Sequence, residues 1–356
     1  MKKYNFSAGP ATLPSTVIQQ ASMGVLDLDG IGLSVLEISH RSAEFGQIIE
    51  RAEELVRKLL RVPEEYAVLF LTGGASTQFF MVPMNLLAEA ETASYMLTGS
   101  WAKKAYKEAQ LFGNVEVAAS SEDQNFSYIP RQLDISSDSV YLHYTSNNTI
   151  YGTQFHQLPD TDKPLVADMS SDIFSRPVDI QRHWVIYAGA QKNMGPAGTT
   201  LVIIRKDVVE RAGRTLPTML NYKTHIEKRS LFNTPPVFPI YVSMLTLAWV
   251  DEMGGVERMA QINKEKAALL YREIDDNPLF YGVVRPEDRS VMNVCFRLHD
   301  EKLNDTFLAM CSERGIVGIK GHRSVGGFRA SIYNAMPIEG VQLLVETMRD
   351  FAQRYG

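Results

Sequence analysis

Cysteine is scarce in this chain: Cys295 and Cys311 are the two in 356 residues, and their spacing suits no metal. That excludes a disulfide-built fold and a cysteine-ligated metal centre, and it fits a reducing compartment with both thiols free and buried. Long apolar runs are missing too. No stretch reaches the roughly 20 residues that a membrane helix needs. The first residues, Met1-Lys2-Lys3-Tyr4-Asn5-Phe6, carry no apolar segment of the signal-peptide kind. Nor is there a basic block. Lys and Arg number 36 against 41 Asp and Glu, for a formal charge of −5. An electrostatic footprint for nucleic acid or an anionic membrane is therefore absent. Internal repeats and low-complexity tracts are lacking, which removes solenoids and arrays. The expectation is a cytoplasmic folded protein that engages neither membrane nor nucleic acid, and needs no metal.

What is present is material for a large core. Hydrophobic residues make up 45% of the chain and charged residues 22%, and the length predicts two domains. Short apolar runs predict strands at 66–71, 93–97, 114–118, 139–144, 165–167, 184–188 and 200–205. Helical periodicity predicts intervening helices at 46–60, where Ile48, Ile49, Ala52, Leu55, Val56 and Leu59 share a face, and at 103–112. Such alternation implies an α/β fold with a mainly parallel sheet covered on both sides. Ligands in these folds sit beyond the carboxyl ends of the strands, where Ser76, Trp101, Thr149, Asp168 and Lys192 fall. Near Asp275-Asp276-Asn277-Pro278 the composition changes. Strands at 292–298 and 326–332 with helices at 303–314 and 338–354 predict a smaller α+β domain, against which the N-terminus packs.

Two residues carry the chemistry. Lys192 follows the apolar run Val185-Ile186-Tyr187-Ala188 through Gly189-Ala190-Gln191, and the chain then turns at Gly195-Pro196. Burial at such a place lowers the lysine pKa and frees the amine as a nucleophile toward an aldehyde. Asp168 closes the run Leu165-Val166-Ala167, and the chain between the two suffices for one loop and the next strand. A lysine and a carboxylate flanking a flat ring are what pyridoxal 5'-phosphate (PLP) requires. The lysine forms an imine with its aldehyde, and the carboxylate keeps the pyridine nitrogen protonated. Taken alone, Lys192 also reads as a structural lysine and Asp168 as a turn cap.

Other residues fit around that pair. Gly73-Gly74-Ala75-Ser76-Thr77 joins a strand to a helix, and free amides there bind phosphate. The stretch is neither a Walker loop nor G-x-G-x-x-G, which weighs against a nucleotide-binding oxidoreductase. Trp101, after Gly99-Ser100, reads either as a ring-stacking residue or as core. Thr149 reads either as a ring contact or as part of an ordinary turn.

In order and spread, several segments resemble the class V aminotransferase family of fold-type I PLP enzymes. They include Asn5-Phe6-Ser7-Ala8-Gly9-Pro10-Ala11, His40-Arg41-Ser42, Gly73-Gly74-Ala75-Ser76, Asn148-Thr149-Ile150-Tyr151-Gly152 and Ala167-Asp168. Ala190-Gln191-Lys192-Asn193, Asn233-Thr234-Pro235-Pro236, Gly321-His322-Arg323-Ser324 and Arg329-Ala330-Ser331-Ile332-Tyr333-Asn334 complete the set. The resemblance implies a large domain (16–260) built on a mainly parallel seven-stranded sheet, and a small α+β domain (1–15 and 261–356). It implies that Lys192 binds PLP and moves the proton, that Asp168 pairs with the ring nitrogen, and that Trp101 stacks on the ring. Thr149, Gln191, Ala75 and Ser76 would complete the cofactor site; some members carry arginine where this chain has Ser76. Asn233 and Thr234 would reach the cofactor phosphate of the neighbouring subunit, implying a homodimer with interfacial sites. Arg329 would take the substrate α-carboxylate. His40-Arg41 and His322-Arg323, which alone read as exposed basic turns, would take the substrate phosphate.

The implied reaction is reversible amino transfer from L-glutamate to 3-phosphooxypyruvate, giving O-phospho-L-serine and 2-oxoglutarate, with a related four-carbon substrate of vitamin B6 synthesis as a second activity. The alternatives are another small-substrate enzyme of the same family, a cysteine desulfurase-like lyase, which needs a reactive cysteine on a mobile loop, and a non-enzymatic binding protein.

Overall fold

Runs of apolar residues bounded by Gly, Pro and Asn turns become fully buried strands, and the periodic segments between them become the helices that cover those strands. The computed structural model describes residues 2–356. In chain order the elements begin with β1 (Tyr4–Asn5), α1 (Ser15–Leu26), α2 (Ala43–Leu60), β2 (Tyr66–Leu71) and α3 (Gly74–Leu86). Then come β3 (Thr92–Leu97), α4 (Ser100–Ala109), β4 (Asn114–Ser120), β5 (Ser139–Thr145), β6 (Leu165–Asp168), β7 (His183–Gly189) and β8 (Thr200–Arg205). The rest is α5 (Tyr222–Glu227), α6 (Val237–Glu252), α7 (Gly255–Asp276), β9 (Phe280–Gly282), β10 (Asn293–Leu298), α8 (Asn304–Glu313), β11 (Ile316–Val317), β12 (Phe328–Ser331) and α9 (Ile338–Tyr355).

Seven strands form one sheet in the order β2-β8-β7-β6-β5-β3-β4. It is parallel except at β8, which runs antiparallel to both β2 and β7. Two reversals restore the direction, so β2 points the same way as β7. The carboxyl ends of β2, β3, β5, β6 and β7 therefore share one edge, and the loops leaving them converge. Every residue of β2 and β6 is buried, as expected of strands covered on both faces.

Two helices start earlier than periodicity alone predicts. α2 begins at Ala43 because the Ser42 hydroxyl caps it, accepting from the Phe45 amide at 3.4 Å, with Glu44 in the first turn. α4 begins at Ser100, which puts Trp101 in its first turn. Gly99 is required just before it, since a Cβ there would lie 2.6 Å from Asn148 Oδ1.

The remaining elements gather around a second apolar cluster. Phe280, Phe296, Phe307, Phe328 and Phe351 interlock edge to face and tilted, with ring centroids 5.0–6.3 Å apart. The strands β12-β10-β9 form its sheet. β1 pairs in parallel with β11, so the N-terminal segment is fastened to this unit and then runs toward the large sheet. α7 links the two clusters. Val256 and Met259 near its start pack into the large core, and Ala267, Leu270 and Ile274 farther along pack into the small one. Among the described residues no helix is long and apolar enough to cross a membrane.

Candidate active site

At the shared strand edge lies a cavity of about 300 Å³. Ala75, Ser76, Trp101, Thr149, Asp168, Gln191, Lys192, His322 and Arg329 all line it. These residues come from five separate loops or strand ends of the large sheet, and from β12 and the loop before it in the small unit.

Asp168 ends β6, paired with Thr145 of β5 and Tyr187 of β7. Its Oδ1 accepts from the Ser170 amide at 2.9 Å and from the Ser170 hydroxyl at 2.6 Å. That hydroxyl in turn accepts from the Gly189 amide at 3.1 Å. The relay fixes which oxygen is occupied; among the described residues Oδ2 accepts no hydrogen bond. Burial raises the Asp168 pKa above the usual carboxylate range, while the Ser170 hydrogen bonds and the charge of Lys192 oppose the rise.

Lys192 extends from the turn after β7, and its Nζ donates to Thr149 Oγ1 at 2.9 Å. Burial pulls the ammonium down to about 8; Asp168 pushes back and Arg329 adds to the fall. The sign follows directly. Below pH 8 the amine is protonated and inert, and above it the neutral nucleophile predominates, whereas an ordinary lysine waits until about 10.4. In cofactor-free protein, the rate at which Lys192 captures an aldehyde should climb about tenfold per pH unit and level near pH 8. Stopped-flow absorbance with added pyridoxal phosphate between pH 6 and 11 measures this. A rate still climbing beyond pH 10 would contradict the burial of the amine.

The turn from β2 into α3 has Gly73 at φ 91° and Gly74 at φ 67°. A Cβ on Gly73 would fall 1.9 Å from Thr77 Oγ1, so the turn closes this way only with glycine. It presents the unpaired amides of the first turn of α3 to the cavity, a ready anion cradle. Opposite, Arg329 sits on β12, whose neighbour β10 pairs Cys295 with it. Its guanidinium makes one long contact, 3.4 Å to the Thr149 carbonyl, and its buried Nε has no partner. His322 stands nearby, its imidazole held below its ordinary value by burial and then by the cations Arg329, Arg323 and Lys104.

Some residues expected at the site lie elsewhere in the single chain. Arg323 is exposed beside His322 and does not line the cavity. His40 and Arg41 lie between α1 and α2, away from the cavity wall. Asn233 and Thr234 are exposed, and Asn233 lines a separate depression with Thr77, His225 and Pro236. Within one chain the two His-Arg pairs therefore do not meet in the cavity. Conversely, Ala8, Gly9, Phe79, Asn147, Ser170 and Ser171 line it, and none was singled out for a site role from the sequence. Asp-Met-Ser-Ser had the signal of a local side-chain turn that marks Ser170. Ala8 and Gly9, known from the sequence only as part of a resemblance segment, are brought there by long-range contacts: the β1–β11 pairing and the hydrogen bond from the Tyr333 hydroxyl to the Ala8 carbonyl.

Both cysteines are buried, and burial pushes each thiol up to about 12. A desulfurase reading therefore lacks its thiolate. Among the described residues no group of three or more His, Cys, Asp or Glu is placed to hold a metal ion.

Residues 3–344 match the family described as Aminotransferase class-V. The chain is 55% identical over 357 residues to the phosphoserine aminotransferase of Parabacteroides distasonis, covering all of both sequences. It resembles the solved phosphoserine aminotransferase from Bacillus circulans subsp. alkalophilus, with a TM-score of 0.97, 48% identity, and 100% and 99% of the two chains covered. A PLP-bound phosphoserine aminotransferase from Trichomonas vaginalis superposes with a TM-score of 0.93 at 39% identity, covering 98% of this chain and 100% of that one.

Proposed function

The chain belongs to the class V aminotransferase family, and on that footing we propose that it catalyses reversible amino transfer from L-glutamate to 3-phosphooxypyruvate, with PLP as cofactor. The observation that carries this reading is a single cavity in which Lys192 and Asp168, from neighbouring strand ends of one sheet, face Arg329 from the other unit.

The residues fit the cofactor. The glycine-only turn before α3 leaves room and amide donors for a phosphate. The buried Thr145 hydroxyl on the cavity wall has no protein partner. Asp168 keeps Oδ2 free for a ring N–H. When bound, PLP supplies an electron sink for the substrate's α-carbon. Lys192 Nζ would hold the cofactor through its aldehyde, and the same amine would take and return the substrate's α-proton. Asp168 would keep the ring nitrogen protonated, Trp101 would stack on the ring, Thr149 would bond its hydroxyl region, and Gln191 would help hold the phosphate. Arg329 grips the substrate carboxylate with its planar fork. The 16–260 unit then holds the cofactor, and 1–15 with 261–356 carries the carboxylate clamp.

His322 and Arg323 form one half of the phosphate pocket. His40, Arg41, Asn233 and Thr234 complete a site when a second copy of the chain contributes them, so the working unit in this reading is a homodimer in the cytoplasm. A run of exposed apolar side chains from Ile18 to Leu36, with Leu26 83% exposed, supports burial against that copy.

The test is spectroscopic. Glutamate added to the yellow, cofactor-loaded protein should bleach it, and 3-phosphooxypyruvate should restore the colour at least about 100-fold more efficiently than pyruvate, since charge-assisted hydrogen bonds to phosphate contribute about 1.5–3 kcal/mol each. Equal efficiency of pyruvate would overturn the substrate assignment.

A further inference from the structure

α7 buries a lysine completely. Lys266 has no exposed surface, and no carboxylate pairs with it. Its Nζ instead donates to four carbonyls of one short connector: Tyr333 at 2.7 Å, Ile332 at 3.0 Å, Met336 at 3.0 Å and Asn334 at 3.5 Å. Burial pulls this amine down to about 7, and in its protonated form, caged by carbonyls, it resembles an alkali cation in a carbonyl site. One turn earlier on the same face of α7, Asn263 Nδ2 donates to Asn334 Oδ1 at 2.8 Å. α7 thus grips the connector between β12 and α9 at two points.

That connector touches three walls of the active site. It leaves β12 three residues after Arg329. The Asn334 amide donates to Asn193 Oδ1 at 3.0 Å, and Asn193 directly follows Lys192. The Tyr333 hydroxyl donates to the Ala8 carbonyl at 2.8 Å, and Ala8 lines the cavity. We propose that Lys266 is a positioning residue: an internal cation that holds the 332–336 connector and so sets the spacing between the carboxylate clamp at Arg329 and the amine at Lys192. This rests on the reading of Arg329 given above.

A bland packing role would not call for a charge here. Desolvating an ammonium is costly unless hydrogen bonds replace its water, and an apolar side chain of similar length would fill the space. The carbonyls of an irregular buried connector need donors, and a protonated lysine supplies three N–H groups from one point, one of them shared with the more distant Asn334 carbonyl, without crosslinking to a second side chain. What separates positioning from simple satisfaction of those carbonyls is the kinetic pattern.

Lys266→Met in the cofactor-loaded enzyme should raise KM for glutamate and for 3-phosphooxypyruvate by about tenfold or more while kcat stays within about threefold. Cofactor content should be unchanged, and the amides of 332–336 should exchange hydrogen faster. In Lys266→Ala, ammonium or methylammonium should partly restore KM where sodium at equal ionic strength does not. A KM equal to the parent's, with loss confined to melting temperature, would overturn the proposal. Should either Lys266 variant fail to fold, Asn263→Ala carries the test: it should shift KM in the same direction by a smaller factor, and a parental KM would equally overturn the idea. A parent enzyme unable to transfer the amino group would instead sink the functional reading.

Discussion

Lys192→Ala should abolish amino transfer, with a loss of at least about 10⁴-fold in kcat, the upper range of what one general acid–base group contributes. Two roles vanish together. On the proposed reading the cofactor loses its covalent anchor, and the α-proton loses its carrier. Neighbouring groups offer no substitute. Thr149, the hydrogen-bond partner of the amine at 2.9 Å, has no basicity near neutrality. Arg329, the cation whose charge acts on the amine, is always protonated. The protein itself should fold: removing a lysine whose pKa burial has already pulled to about 8 relieves a desolvation cost and leaves Asp168 still held by Ser170. The cofactor should still enter, held by the turn before α3 and by Asp168. Single-turnover kinetics with glutamate measures the loss, and added small amines should recover part of the proton-transfer rate. Turnover within tenfold of the parent would remove Lys192 from the mechanism.

Asp168→Asn should be the next most severe change. On the proposed reading the buried carboxylate stabilises a positive ring nitrogen, and breaking a buried charge pair costs about 3–5 kcal/mol, which corresponds to roughly 10²- to 10⁴-fold in rate. The shape is kept, and the amide oxygen can still accept from Ser170, so the fold should be unaffected. Only the charge is gone. The defect should therefore lie in kcat rather than in cofactor content. A cofactor analogue carrying a fixed positive charge on the ring nitrogen should restore part of the rate in Asp168→Asn while giving no gain in the parent. An Asn variant with parental kcat would show that the ring needs no acidic partner here.

The central pair was legible because strands buried on both faces write themselves as short apolar runs. Where such a run ends, the next polar residue stands at the sheet edge, as Asp168 does. Helix starts were less legible: Ser42 and Gly99-Ser100 set them through capping and close approach, which periodicity does not weigh. The direction of β8 could not be read at all, since a strand covered on both faces carries the same pattern either way round. Nor could Ala8 and Gly9, which reach the cavity through a pairing more than three hundred residues apart in sequence. His40, Arg41, Asn233 and Thr234 were named through resemblance alone; within one chain they stay away from the cavity wall, and in the proposed reading a second copy contributes them.

The most direct measurement is a chemical one. Cofactor-loaded protein is reduced with borohydride, digested, and its peptides mapped by mass. The account expects one pyridoxyl adduct, on the peptide containing Lys192, and its disappearance in Lys192→Ala. A label on any other lysine, or none on this one, would contradict it.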